Sequence, residues 1–284
     1  MSPGRASGAA AVALPDDVVL DAALPAAAGP AADAAWADAV GPAGAPGARI
    51  DADASPVSAW VKHPSMVDWP GHMAGVLLVT GCNFRCPFCH NAPLLAAPRE
   101  GLAWQVLESL LRRFRDHWVD AVVVSGGEPT LRSDLPRLVR FLRDRGFRVK
   151  LDTNGSRPDA LEAVIDAVDY VAMDVKCALD RYPGLVGFAD PDRIARSIAI
   201  IRGRAADYEF RTTVAEPLHD DAHMDEIADL VRGARRWVLQ RFEPRGELLH
   251  PDCRNWPRTP PSRLRSIRTR LASVAREVVV RGSD

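Results

Sequence analysis

The 284-residue sequence lacks any apolar run approaching the length of roughly 18–20 residues that a membrane-spanning helix needs, so no membrane segment is expected. It also lacks a charged start, an apolar block and a small-residue cleavage site at its N-terminus. No secretory signal is therefore expected, and a cytoplasmic protein follows. Charge of one sign is missing too: 36 Lys and Arg stand against 37 Asp and Glu, for a formal net charge of -1. That balance gives no general attraction to nucleic acid or to an anionic membrane. Cysteine is scarce and unevenly placed, with three of the five within one short segment and Cys177 and Cys253 alone. An odd count with one tight cluster argues against a disulfide framework and for thiolates kept reduced for a metal.

Large side chains are few in residues 1–55, where Ala, Gly and Pro dominate (GAAAVALP, LPAAAGPAADAA, GPAGAPGA). Pro and Gly interrupt every Ala run, and too little apolar surface remains to offset the entropy of ordering. Residues 1–55 are expected to be a disordered extension, with a short helix around Asp33–Val40 as its one candidate element. Residues 56–284 are expected to form one folded domain, for which the apolar content of 47% is ample.

What is present from Trp60 onward is a rhythm of short apolar runs and amphipathic stretches. Candidate strands are Gly75–Thr80, Ala121–Ser125, Arg148–Asp152, Tyr170–Asp174, Glu209–Val214 and Arg236–Arg241. Candidate helices are Ala103–Trp118, Asp134–Arg145, Pro158–Val168, Pro191–Arg202 and Asp221–Val231. Ser133 is a candidate cap for the second of these, and Gly146 a candidate stop. Repeated strand–helix units predict an α/β fold with parallel strands and right-handed crossovers. Six units fit a partial, open six-stranded β/α barrel better than a closed eight-fold one. A last helix, Pro261–Val274, places Leu264, Ile267, Leu271 and Val274 on one face, with Arg263, Arg265, Arg268 and Arg270 on its solvated side.

The three clustered cysteines, Cys82, Cys86 and Cys89, follow directly on the first candidate strand in Gly81-Cys82-Asn83-Phe84-Arg85-Cys86-Pro87-Phe88-Cys89-His90-Asn91. They occupy a loop at the carboxyl end of that strand, the face on which barrels build their active sites. The spacing is C-x3-C-x2-C. Structural zinc sites need four ligands, and ordinary iron–sulfur clusters four cysteines. A four-iron cluster held by three thiolates keeps one iron open for another ligand. The competing reading is a zinc knuckle with His90 as fourth ligand, for which adjacency to Cys89 is poor geometry.

This segment resembles the radical S-adenosylmethionine (radical SAM) superfamily, whose signature is C-x3-C-x-aromatic-C, with Phe88 in the aromatic position. The resemblance implies a 4Fe–4S cluster on Cys82, Cys86 and Cys89 whose open iron binds the amino and carboxylate groups of SAM. It further implies one-electron cleavage of SAM to a 5′-deoxyadenosyl radical, with Phe88 near the adenine. Gly126-Gly127-Glu128-Pro129 follows the second strand. Paired glycines let a backbone approach a ligand closely, and Glu128 offers an acceptor to a cationic amine. The run resembles the superfamily motif that contacts the SAM amino group; the alternative is a plain turn.

Asp152-Thr153-Asn154-Gly155 and Met173-Asp174-Val175-Lys176 end the third and fourth strands, where hard oxygen donors converge on the barrel mouth. They resemble the glycyl-radical-enzyme activases. By that resemblance Asp152, Thr153 and Asp174 would bind a monovalent cation, and Lys176 would be a site residue; the alternative is an Asp capping the next helix. Arg211, within a strand, needs an anion to pair with. The resemblance implies the SAM carboxylate, and the alternative is an ion pair with Glu209 or Glu216. Gln240-Arg241-Phe242-Glu243-Pro244 has family character without an assignable role.

Upstream, Ser65–His72 carries a Pro70-Gly71 turn, and Met66 and Trp69 are expected to pack beneath the barrel. With GCNFRCPFCHN, this stretch resembles the anaerobic ribonucleoside-triphosphate reductase activating proteins in their longer form, from about Met66 to Pro244. Trp69 departs from the expected Tyr or Phe. The resemblance implies a glycyl radical made on that reductase, with flavodoxin or ferredoxin as electron donor. An activase of the pyruvate formate-lyase type, a radical SAM enzyme acting on a peptide or small molecule, and an iron–sulfur carrier or sensor remain as alternatives. No ferredoxin-like cysteine block interrupts Ala103–Trp118, and no cysteine-rich C-terminal block is present. Cys177 is expected to be a buried small residue, and Cys253 to lie in a loop.

Overall fold

The computed structural model describes residues 18–20, 54–95, 101–246 and 248–282. Their strands form one sheet in sequence order. It begins with β1 (Val18–Leu20), β2 (Ala59–Val61) and β3 (Ala74–Val79), joined by antiparallel pairing. It continues in parallel through β4 (Ala121–Gly126), β5 (Arg148–Thr153), β6 (Tyr170–Asp174), β7 (Tyr208–Val214), β8 (Arg236–Arg241) and β9 (Glu277–Arg281). β1 and β9 are the two edges, so the sheet stays open. The six expected strands form in the expected order, and β9 adds a seventh to the parallel series. Within the segment expected to be disordered, Val18–Leu20 forms a strand, with Val19 opposite Trp60. The candidate helix Asp33–Val40 lies outside the described residues.

Helices α1 (Trp104–Asp116), α2 (Leu135–Asp144), α3 (Pro158–Glu162), α4 (Tyr182–Val186), α5 (Asp192–Arg204), α6 (Asp221–Val231) and α7 (Pro261–Arg270) fill the connections. Alternate strand residues such as Val122, Val149 and Phe210 pack on the helices, while Val76, Leu78, Val123 and Ala172 face the other way, in a separate cluster. β3 and the start of β4 are buried on both faces, which is why their runs read as continuously apolar. No helix among the described residues is long and apolar enough to cross a membrane.

Several local expectations need correction. Ser133 does not cap α2; Asp134 holds that position, its carboxylate taken by Arg132 at 3.2 Å, while Gly146 does end the segment at φ 72°. Pro158–Val168 splits into α3 and a 3-10 turn at Ile165–Ala167, with Val164 and Ile165 both buried at the break. α7 stops at Arg270, although Leu271 and Val274 remain buried. Arg263 and Arg270 are not merely solvated: both pair with Asp221 on α6. Trp69 is buried, its ring 5.8 Å from Tyr170, whereas Met66 is 71% exposed. The turn at Ser65–Asp68, held by the Ser65 hydroxyl, points Met66 outward.

Candidate active site

Past β3 the chain turns at Gly81, whose φ of 90° is open to glycine. Its N–H donates to Leu94 O at 2.8 Å, closing the cysteine loop on itself. Phe84 is buried between Tyr182 and Phe188, with ring centroids 5.9 and 5.1 Å away. Arg85 donates to Cys82 O at 2.7 Å, and its N–H to Val186 O at 2.8 Å. The loop is thus fixed from within and from α4. Cys82, Cys86 and Cys89 all line one cavity of about 430 Å³, together with Phe88, Gly126–Glu128, Asp152–Asn154, Asp174, Lys176 and Arg211. The sequence-derived site residues are therefore brought together.

The turn after β4 presses directly on the cysteine loop. Gly127 N donates to Val79 O at 2.8 Å and Glu128 N to Gly81 O at 2.7 Å. A Cβ on Gly126 would meet Val79 O at 2.4 Å, and Gly126 itself holds φ 113°. Glu128 is buried, yet its carboxylate is fully engaged. Oε1 accepts from Thr130 N at 3.0 Å, the Thr130 hydroxyl and Thr153 Oγ1 at 2.7 Å, and Oε2 accepts from Asn154 N at 2.6 Å. Burial pushes its carboxyl up, and these hydrogen bonds oppose the shift. Glu128 therefore ties the ends of β4 and β5 together.

Across the cavity floor runs a ladder of alternating charge. Lys150 Nζ lies 2.9 Å from Asp152 Oδ1, Arg211 bridges Asp152 Oδ2 at 3.0 Å and Asp174 Oδ1 at 2.9 Å, and Lys176 Nζ meets Asp174 Oδ2 at 2.9 Å. The partners of Arg211 come from β6, the neighbouring strand, and from β5 beyond it; the acid considered from its own strand, Glu209, is taken by Arg281. Burial alone would raise the Asp174 carboxyl, but Arg211 and Lys176 bring it down to about 2, and Arg211 and Lys150 likewise lower Asp152. Lys176 is further pinned through its backbone: Tyr182 Oη accepts its N–H at 3.2 Å, and His219 Nε2 donates to its carbonyl at 3.0 Å.

The donor set fits an iron–sulfur cluster and not a zinc knuckle. His90 is stacked on Phe242, and its Nε2 donates to Glu243 O at 2.7 Å, away from the thiols. Among the described residues no three His, Cys, Asp or Glu stand close enough to hold a single metal ion. Burial pushes all three thiols up, Cys86 to about 11, and cluster binding would act against that shift because the ligands are thiolates. Phe88 is buried edge-on to Phe242 at 6.4 Å. Cys253 belongs to this same apolar cluster, in a 3-10 turn rather than an open loop, and Cys177 is buried as expected.

The model of the Radical SAM superfamily matches residues 76–232, more than half of the chain. The chain belongs to the radical SAM superfamily. Members use a 4Fe–4S cluster and SAM, and this chain is a radical SAM enzyme. Over 189 residues it is 33% identical to a protein of Methanocaldococcus jannaschii named as a putative glycyl-radical enzyme activating enzyme, covering 64% of this chain and 78% of that one. Over 169 residues it is 43% identical to the PqqA peptide cyclase of Xanthomonas axonopodis pv. citri, covering 57% of this chain but only 44% of the cyclase. Among solved structures, Streptococcus suis SuiB bound to its precursor peptide SuiA aligns with a TM-score of 0.57 at 14% identity, over 73% of this chain and 48% of SuiB. That likeness concerns the fold.

Three further residues of the cavity have no role assigned from the sequence. Asn154 reaches Cys82 Sγ, donates to Asn83 Oδ1 and accepts from the Ser156 N–H. Gln240 and Thr213 also line the cavity from β8 and β7, joined by a 3.5 Å hydrogen bond. Position at a strand's carboxyl end was the signal available for each.

Proposed function

We propose that this radical SAM enzyme is a glycyl-radical-enzyme activase, with the glycyl radical subunit of anaerobic ribonucleoside-triphosphate reductase as its leading target. The observation that carries the reading is the convergence of the three cysteines, the Gly126–Glu128 turn and the Asp152–Arg211–Asp174–Lys176 ladder on one cavity. The relative aligned over 78% of its length supports it.

In this reading Cys82, Cys86 and Cys89 hold the cluster, and Phe88 flanks the adenine. The chemistry that a bound cluster would supply is the single electron for reductive cleavage of SAM, which would yield methionine and a carbon-centred radical able to take a hydrogen atom from glycine. The protein's own part is to bind, orient and exclude water. Gly126 and Gly127 bring the turn's backbone to the SAM amino group, and Glu128 holds the turn. Arg211 would meet the SAM carboxylate, with Lys176 a further residue of the site. Asp152, Thr153 and Asp174 are the candidate ligands of a monovalent cation, in competition with the Arg and Lys side chains that already neutralise both carboxylates. The low-potential electron comes from a flavodoxin or ferredoxin.

The test is electron paramagnetic resonance of reconstituted protein with SAM, a strong reductant and the anaerobic reductase from the same genome. A stable glycyl-radical doublet, absent in Cys86→Ala, is the expected result. Release of 5′-deoxyadenosine without a doublet would move the target to a formate-lyase-type enzyme. The similarity to a peptide cyclase favours a peptide as the second reading, which a mass change in a candidate peptide would reveal.

A further inference from the structure

Among the described residues, Asn154 is the side chain whose donor reaches a sulfur of the cysteine loop, with Nδ2 3.7 Å from Cys82 Sγ. It sits just past β5 and is buried. Its orientation is assigned by its partners: Oδ1 accepts from Ser156 N at 2.9 Å, and the second Nδ2 hydrogen goes to Asn83 Oδ1 at 3.1 Å. Asn83 Oδ1 also accepts from Ser156 Oγ at 3.1 Å, and the Asn154 N–H is held by Glu128. Rotating the amide would leave the buried Ser156 N–H unpaired, which is costly. The donor facing the sulfur is therefore fixed in place before any cofactor arrives.

We infer that Asn154 tunes the reduction potential of the cluster by donating a hydrogen bond to the Cys82 thiolate. Reduction adds one electron, supplied by a low-potential reductant, and spreads negative charge over the cluster's sulfur atoms. A donor at the thiolate stabilises the reduced form more than the oxidised one and so raises the potential. No proton is transferred; Asn154 keeps both amide hydrogens. The inference rests on Cys82 being a cluster ligand. Asn154 is a positioning and tuning residue, since it acts through that sulfur.

The experiment is a redox titration of the reconstituted protein, followed by the resonance signal of the reduced cluster. Asn154→Leu removes the donor, and Asn154→Asp also sets a carboxylate against the sulfur. The midpoint potential should fall in the order wild type, Leu, Asp. For Leu the reduction equilibrium should weaken about tenfold, equivalent to about 59 mV for a one-electron couple. Ser156→Ala, which keeps the backbone N–H that orients Asn154, should stay within about twofold of wild type. Unchanged potentials in both Asn154 variants at full iron content, or an equal shift in Ser156→Ala, would overturn the inference. Should the variants lose iron, pulsed resonance of the wild-type protein carrying asparagine labelled with ¹⁵N only in its side-chain amide decides: a nitrogen coupling to the reduced cluster is expected, and its absence refutes the contact. Cys82→Ala separates the two levels, because retention of a normal cluster there would sink the ligand assignment itself.

Discussion

A Cβ added to Gly127 would stand 2.1 Å from the carbonyl oxygen of Gly81. Two loops from different strands touch backbone to backbone at this point, and no side-chain adjustment can make room. Gly127 has no left-handed φ to satisfy, so close approach alone explains the glycine.

Gly127→Ala should therefore push the turn off the cysteine loop. The expected cost is about 1–3 kcal/mol, with a fall of several degrees in melting temperature. Bound iron after reconstitution should fall with it. Gly187→Ala is the comparison: open space surrounds Gly187, but φ is 71°. It should cost about 1–2 kcal/mol in strain and keep its iron. Equal iron content in the two variants would mean that the Gly81–Gly127 contact does not shape the site.

Cysteine variants should divide by position. Cys82→Ala, Cys86→Ala and Cys89→Ala should abolish iron binding, since their thiols share the cavity. Cys177→Ala and Cys253→Ala should keep it, because neither lines that cavity; both are buried and should lose modest stability. Iron and sulfide analysis with the visible absorption of the cluster distinguishes these outcomes.

The charge ladder gives a pH dependence with a definite sign. Asp174 has its carboxyl lowered from 3.8 to about 2; burial opposes the shift, and Arg211 and Lys176 outweigh it. A depressed carboxyl contributes stability above its unfolded value and loses it as pH falls through the folded one. The contribution should be about 2 kcal/mol in cluster-free protein near neutrality, fading between roughly pH 4 and pH 2. Denaturant titrations of wild type and Asp174→Asn should converge at low pH. Parallel curves across that window would mean that the Arg211–Asp174 contact is not maintained in solution.

These cases mark what a sequence reveals and what it conceals. β3 and β4 were legible because strands buried on both faces read as apolar runs, and β5 to β8 because their shorter apolar stretches alternate with helical periods. The cysteine spacing carried the site for the same reason: its information is local. Arg211 was recognised as needing an anion, but its partners Asp152 and Asp174 sit on β5 and β6, and only the strand register brings Asp174 beside it. Asn154 was visible only as part of a motif, because its bond to Cys82 spans 72 positions. β9 was missed because Glu277 and Arg281 enclose just three valines. Its membership of the sheet depends on contacts made far away in sequence.

One of those contacts is testable. Arg281 reaches from β9 to Glu209 on β7 with two hydrogen bonds, at 2.7 and 2.6 Å, and Glu209 is 1% exposed. Arg281→Met leaves a buried carboxylate with Tyr170 as its remaining side-chain hydrogen-bond donor among the described residues. Breaking such a pair costs about 3–5 kcal/mol, while removing both charges costs much less. Glu209→Gln combined with Arg281→Met should recover most of the loss in a double-mutant cycle. Additive losses would show that the two side chains do not interact.

Shortening the chain from its start should reveal where the fold begins. Ser55 N donates to Leu102 O at 2.8 Å, and Leu102 N donates to Val57 O at 2.7 Å. Ser55 and Val57 are buried, and a Cβ on Gly101 would meet their carbonyl oxygens at 2.2 and 2.3 Å. This segment is thus part of the packing that leads into α1, whose residue Leu107 lies in the main core. A chain beginning at residue 54 loses β1, a three-residue edge strand, and keeps those bonds. It should bind iron normally and lose about 1 kcal/mol or less, since few contacts go with a short edge strand. A chain beginning at residue 59 also loses Val57 and leaves the Leu102 N–H unpaired. That should cost several times as much, from an emptied apolar site and a buried orphan donor together. Melting temperature and iron content of the two truncations provide the check. If both behave like the full chain, the 55–57 segment is not part of the fold; if both fail, residues before 54 contribute to it.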